Sequence, residues 1–152
     1  MAKTKQQLPM REFSQSLPMM LLRARECVMA RFRVVLNEYG VTEQQWRILR
    51  ALYEEDGVDI SELADQCCLL MPSLSRILKS MEERDLITRW SDANDGRRTL
   101  VEITSEGRSL IDVVSPLSES QYKDMNLRVG AKNMHTLYVE LEHLIKCLEE
   151  SD

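Results

Sequence analysis

The chain has 152 residues, 43% hydrophobic and 30% charged, with only five Gly and four Pro, a balance that fits one ordered, helix-rich domain with extensions and excludes a largely disordered protein. Its net charge of −5 argues against nucleic acid only if spread evenly, and it is not. Residues 1–33 carry seven Lys/Arg against two Glu, 71–98 carry six basic against five acidic residues, and 110–152 carry four against eight.

No apolar run approaches the ~20 residues that span a bilayer, and no signal-peptide pattern opens the chain, so a cytoplasmic protein without a membrane partner is expected. Residues 1–13 read as a loose basic arm. From about Ser16 to Tyr39 apolar residues recur at helical spacing (Leu17, Met20, Leu21, Ala24, Val28, Phe32, Val35, Leu36), with Pro18 admissible in the first turn and Gly40 as a stop. Arg23, Arg25, Arg31 and Arg33 stand on more than one face of this helix, so some should meet a partner rather than water. Thr42 and Gln45 form a capping box for a helix from Trp46 to about Tyr53 with Ile48, Leu49 and Leu52 inward. Asp59 and Glu62 predict a second box at the start of a short helix over 60–64. An uncharged turn at 67–70 then leads to a helix opened by Met71-Pro72-Ser73 and ending near Arg84, with Leu74, Ile77, Leu78 and Met81 inward.

After Asp85 the period changes. Residues 86–90 and 99–103 read as two strands joined by an Asp-, Asn- and Gly-rich tip. Thr104 restarts helix, which Ser115-Pro116 should kink or interrupt. Beyond Gly130 a last amphipathic helix carries Leu137, Tyr138, Leu141, Leu144, Ile145 and Leu148. Apolar helices at both ends need something to bury against, and a two-fold partner satisfies both. The expected organisation is an arm and dimerisation helix over 1–39, a DNA-binding domain over 40–104 and dimerisation helices over 105–152.

The order helix, turn, helix, hairpin reads as a winged helix-turn-helix, a mainly α fold with a small β-wing. Reading a major groove needs short donors and acceptors near a helix start plus long cations. Ser73, Ser75 and Arg76 fit the first need, and Lys79 follows a turn later. At the hairpin tip, Asp95 stands two residues before Arg97 and can hold its guanidinium extended for a minor groove, with Arg98 beside it.

An enzyme reading finds no Gly-rich phosphate loop, no His-Glu-x-x-His and no Gly-x-Ser-x-Gly, and nothing implies a cofactor. The two histidines, His135 and His143, lie about 80° apart around one helix and offer no metal site. Cys27, Cys67, Cys68 and Cys147 lack zinc-ligand spacing and read as buried small hydrophobes. Two rivals remain: a thiol-responsive regulator, for which the adjacent Cys67-Cys68 pair would need a distorted backbone, and a helical interaction module without DNA binding, which would leave the arginines of the tip unused.

Leu63-Ala64, Pro72-Ser73-Leu74-Ser75-Arg76-Ile77-Leu78, Met81-Glu82, Asp92, Asp95-Gly96-Arg97-Arg98 and Ile103-Thr104-Ser105-Glu106-Gly107 together resemble the MarR family of bacterial transcription regulators. The likeness covers nearly the whole chain. It implies a triangular homodimer with interlocked terminal helices, bound as a repressor to a palindromic operator on double-stranded DNA. By position, Ser73, Ser75, Arg76 and Lys79 face the major groove, and Arg97 enters the minor groove beside Asp95. Ala24-Arg25-Glu26 with Thr42-Glu43-Gln44-Gln45-Trp46-Arg47-Ile48 and Pro72-Ser73-Leu74 is similar to the branch that regulates homoprotocatechuate and hydroxyphenylacetate degradation. That branch implies release by a small aromatic carboxylic acid held by Ser16, Arg25, Glu43, Trp46, Arg50 and Tyr122. Two positions depart from the pattern: Asp85 stands where the family often has Gly, and Pro18 where the branch can place a polar pocket residue.

Overall fold

A computed structural model of the protein describes residues 10–150. Most of the expected basic arm lies outside them. Ser16 accepts a hydrogen bond from the Met19 N–H (3.4 Å) and opens α1, Leu17–Glu38, with Pro18 in the first turn where no N–H is required. The Thr42–Gln45 capping box forms in full, at 3.1 Å in both directions, and starts α2, Glu43–Glu54. Strand β1 (Val58–Asp59) leads into α3 (Ile60–Gln66), then α4 (Met71–Glu83), β2 (Ile87–Ser91), β3 (Thr99–Ile103), α5 (Ser105–Val129) and α6 (Ala131–Glu149).

The two-strand expectation falls one strand short. Val58 pairs with Val101 and Asp59 with Leu100, giving an antiparallel sheet in the order β1-β3-β2. Two residues carry no readable alternation, so only pairing reveals β1. The second capping box also differs. Asp59 caps α3 through the Ser61 N–H at 2.9 Å, while the Glu62 side chain meets Gln66 instead of reaching back to the cap.

The main core gathers Ile48, Leu49 and Leu52 of α2, Leu63 of α3, Leu74, Leu78 and Met81 of α4, Ile87, Val101 and Ile103 of the sheet, and Ile111 of α5. A second cluster of Val35, Leu36, Val41 and Val114 seats α1 on α5. Trp46 and Leu110 touch both and couple the helix-turn-helix to the long helices. At Gly107 a Cβ would run into the Leu86 carbonyl and lie 2.7 Å from Ile103 Cγ1, so only glycine lets α5 dock on the sheet.

Pro116 does not interrupt the helix: α5 runs unbroken from Ser105 to Val129. The buried neighbours Val114 and Ser118 hold it against the bundle, while Asp112, Ser115 and Pro116 border an open cleft where water can reach the carbonyl that proline leaves unpaired. Of the four cysteines only Cys67 is buried; Cys27, Cys68 and Cys147 are exposed, which corrects the uniform burial expected of them. Cys27 on α1, Cys147 on α6 and Cys68 in the turn after α3 do not point into this chain's own core. No residue of α6 is buried, and Leu137, Tyr138, Val139, Ile145 and Leu148 join Leu17, Met20 and Leu22 of α1 as exposed apolar surface. No helix among the described residues is long and apolar enough to cross a membrane.

Candidate DNA interface and ligand cavity

Leu74, Leu78 and Met81 turn one face of α4 into the core, and that orientation alone leaves Ser75, Arg76 and Lys79 outward. Ser73 is half-buried and, with Arg76, walls a cleft of about 410 Å³ shared with Thr42 and Gln44 at the start of α2. Arg76 makes only a long bond from Nε to the Pro72 carbonyl, 3.4 Å. Two neighbouring arginines are tied down. Arg84 donates to the Gly40 carbonyl (2.8 Å) and Gln45 Oε1 (3.3 Å), and Arg89 donates twice to Glu82. Those bonds hold the Glu82 carboxyl below its usual range.

At the wing, strand pairing ends with Ser91 opposite Thr99, and two Asx turns shape the tip: the Asn94 N–H reaches Asp92 Oδ1 (2.9 Å) and the Arg97 N–H reaches Asp95 Oδ1 (3.1 Å). Asp95 thus holds the backbone of Arg97 rather than its guanidinium. The arginine gripped by carboxylates is Arg98, whose Nε donates to Asp59 Oδ2 at 3.1 Å with Asp92 at 3.6 Å. Bonds from the Ser61 hydroxyl and N–H, then from Arg98, hold the Asp59 carboxyl at about 2. The wing root is therefore pinned to the first turn of α3. Arg76, Lys79 and Arg97 have no carboxylate partner among the described residues, which leaves their charge available to phosphates.

On the opposite side of α2 a cavity of about 520 Å³ opens between α1, α2 and α5. Five of the six residues expected to bind a ligand line it: Arg25, Glu43, Trp46, Arg50 and Tyr122. Their spacing explains the convergence. Arg25 and Met29, Glu43 and Arg47, and Trp46 and Arg50 are each one turn apart on their helices and share a face. Ser16 does not join them within one protomer. It caps α1 nine residues before Arg25, about 13 Å along the helix.

The cavity is predominantly cationic. Arg25 Nη2 donates to Glu43 Oε1 at 3.0 Å, and Arg33 reaches the other oxygen at 3.1–3.3 Å. Burial pushes the Glu43 carboxyl up, but Arg25 and then Arg33 outweigh it and the net value lies below the usual range. Arg47 Nη1 donates to the Cys67 carbonyl (2.6 Å), and Arg50 reaches Glu54 only at 3.4 Å. The Tyr122 ring packs on Phe32 with centroids 5.0 Å apart, and burial pushes its hydroxyl pKa up. Cys67 and Cys68 also stand in the wall, where burial raises the Cys67 thiol and so disfavours a reactive thiolate. The sequence reading missed Met29 and Arg47. The one-turn partners of the residues it did find were the available signal.

The MarR family model matches residues 41–99. The HTH-type transcriptional regulator FarR of Neisseria gonorrhoeae is 38% identical over 83% of this chain and 86% of its own length. The homoprotocatechuate degradative operon repressor of Escherichia coli is 38% identical over 86% and 88%. A crystal structure of NadR in complex with 4-hydroxyphenylacetate is 35% identical and superposes with a TM-score of 0.76, covering 90% of this chain and 97% of that one. With the winged helix-turn-helix in place and relatives this similar along nearly their whole length, the chain belongs to the MarR family of transcription regulators.

Proposed function

We propose that this regulator is a homodimeric repressor of an operon for aromatic-compound breakdown, released from a palindromic operator when a small aromatic carboxylic acid occupies the cavity beside Trp46. The observation that carries the proposal is the convergence of Arg25, Glu43, Trp46, Arg50 and Tyr122 on one space. Arg50 is the natural partner for the carboxylate, because its bond to Glu54 is long and half-exposed and a guanidinium pairs a carboxylate in a bidentate fork. Trp46 packs the ring, and Glu43 and Tyr122 offer hydrogen bonds to a polar substituent.

Coupling to DNA runs through α2. Glu43 lies in the cavity wall while its neighbours Thr42 and Gln44 border the cleft against α4. A ligand that tightens the cavity tilts α2 and with it the recognition helix, and release follows if the ligand prefers the tilted state by a few kcal/mol. The exposed apolar faces of α1 and α6 support burial against a second copy. The relatives named as an operon repressor and as a 4-hydroxyphenylacetate complex support the same reading. A cytoplasmic location follows from a DNA target.

The test is a salt series of binding to the DNA upstream of its own gene, with and without a panel of aromatic acids. The expected outcome is affinity that falls steeply with salt and is weakened by at least one acid. Salt-insensitive or absent binding refutes the DNA interface, and indifference to every acid refutes the ligand assignment.

A further inference from the structure

Behind the outer cavity lies a smaller chamber of about 150 Å³, walled by Met29 and Phe32 of α1, Trp46 and Arg50 of α2, and Ser118 and Tyr122 of α5. Met29, Trp46, Arg50 and Tyr122 are walls of both spaces, so the chamber is the deep end of the same cavity. Its volume is that of a void able to hold a benzene ring, and its lining is mostly apolar. Arg50, Tyr122 and Ser118 are its polar members, and Ser118 is the small one. It is only 4% exposed, yet its hydroxyl makes no hydrogen bond with another described residue, and it faces the chamber. A hydroxyl that meets no protein partner and opens onto an enclosed chamber is placed to pair with a polar group that arrives there.

We propose that Ser118 is a specificity-determining residue that selects aromatic acids carrying a ring hydroxyl. This rests on the cavity being the effector site. With the carboxylate held by Arg50 where the two spaces meet, the ring passes beneath Trp46 and carries its far substituent inward to Ser118. The serine oxygen accepts from the phenolic O–H or donates to its oxygen. An unsubstituted ring leaves Ser118 unpaired again, and a site built to meet a hydroxyl rejects the analogue that lacks it.

The experiment titrates the full-length protein calorimetrically with phenylacetate, 3-hydroxyphenylacetate and 4-hydroxyphenylacetate, in the wild type and in Ser118→Ala and Ser118→Val. One hydroxylated acid is expected to bind the wild type about tenfold tighter than phenylacetate, the size of one neutral hydrogen bond. Both variants should reduce that ratio to about twofold or less while keeping phenylacetate affinity within about threefold. The valine variant fills the space without a hydroxyl and keeps the test open if alanine fails to fold. A ratio that persists in either folded variant, or loss of phenylacetate binding in parallel, overturns the role of Ser118 and leaves the cavity assignment standing. Failure of all three acids to bind the wild type overturns the cavity assignment itself.

Discussion

Asp59 joins two functions whose separation gives a sharp stability test. Its carboxylate caps α3 through the Ser61 N–H and also holds Arg98 of the wing. Asparagine keeps the cap acceptor and loses the charge, whereas alanine loses both. Removing an N-cap costs about 1 kcal/mol. Arg98 is half-exposed, so solvent screening keeps its share well below that of the cap. Asp59→Ala should therefore destabilise by at least the cap's about 1 kcal/mol, and Asp59→Asn by clearly less. The pH dependence follows from the same bonds. The folded carboxyl lies at about 2, below its ordinary 3.8, because of Ser61 first and Arg98 second. Its contribution is fully present above 3.8 and is lost as pH falls through about 2, so the gap between wild type and Asp59→Asn should close across that window. Urea denaturation followed by circular dichroism, at one protein concentration and a series of pH values, measures both. An Asn variant as damaged as Ala, or a gap unchanged down to about pH 2, would refute the reasoning.

Other residues supply independent checks. Arg97→Ala should weaken DNA binding and lower the slope of log affinity against log salt by about one, with an unchanged thermal melt; an unaltered slope removes Arg97 from the phosphate contacts. Gly107→Ala forces a methyl against Leu86 and Ile103 and should cost about 1–3 kcal/mol in denaturant unfolding. Asp85 sits at φ 58°, in the left-handed region, so Asp85→Gly should be about 1 kcal/mol more stable than Asp85→Ala. Equal stability of the two would mean that backbone strain at this position is negligible.

Local chemistry was legible wherever short-range rules decide the outcome. The Thr42–Gln45 box, Pro72 in the first turn of α4, the strand pairs on either side of the 92–98 tip and the stop at Gly40 all stand as their residues indicate. The outward set Ser75, Arg76 and Lys79 follows from the inward set Leu74, Leu78 and Met81, because one helical period determines both. The resemblance to a family added what periodicity cannot, namely which turns of α1, α2 and α5 meet at a cavity.

What the sequence alone determined, then, was the order of elements, their caps and the face each turns inward. Tertiary packing decided the rest. Pro116 stays within a continuous helix because buried neighbours on both sides hold α5 against the bundle through it. Val58 and Asp59 become a strand only because β3 offers a free edge. Asp95 grips a backbone while Asp59, 39 residues away, grips Arg98, since a carboxylate bonds whichever donor the fold brings within about 3 Å. Ser118 reads as an ordinary helical serine until α1 and α2 close over it, because burial and the lack of a partner are properties of three helices together and of none of them alone.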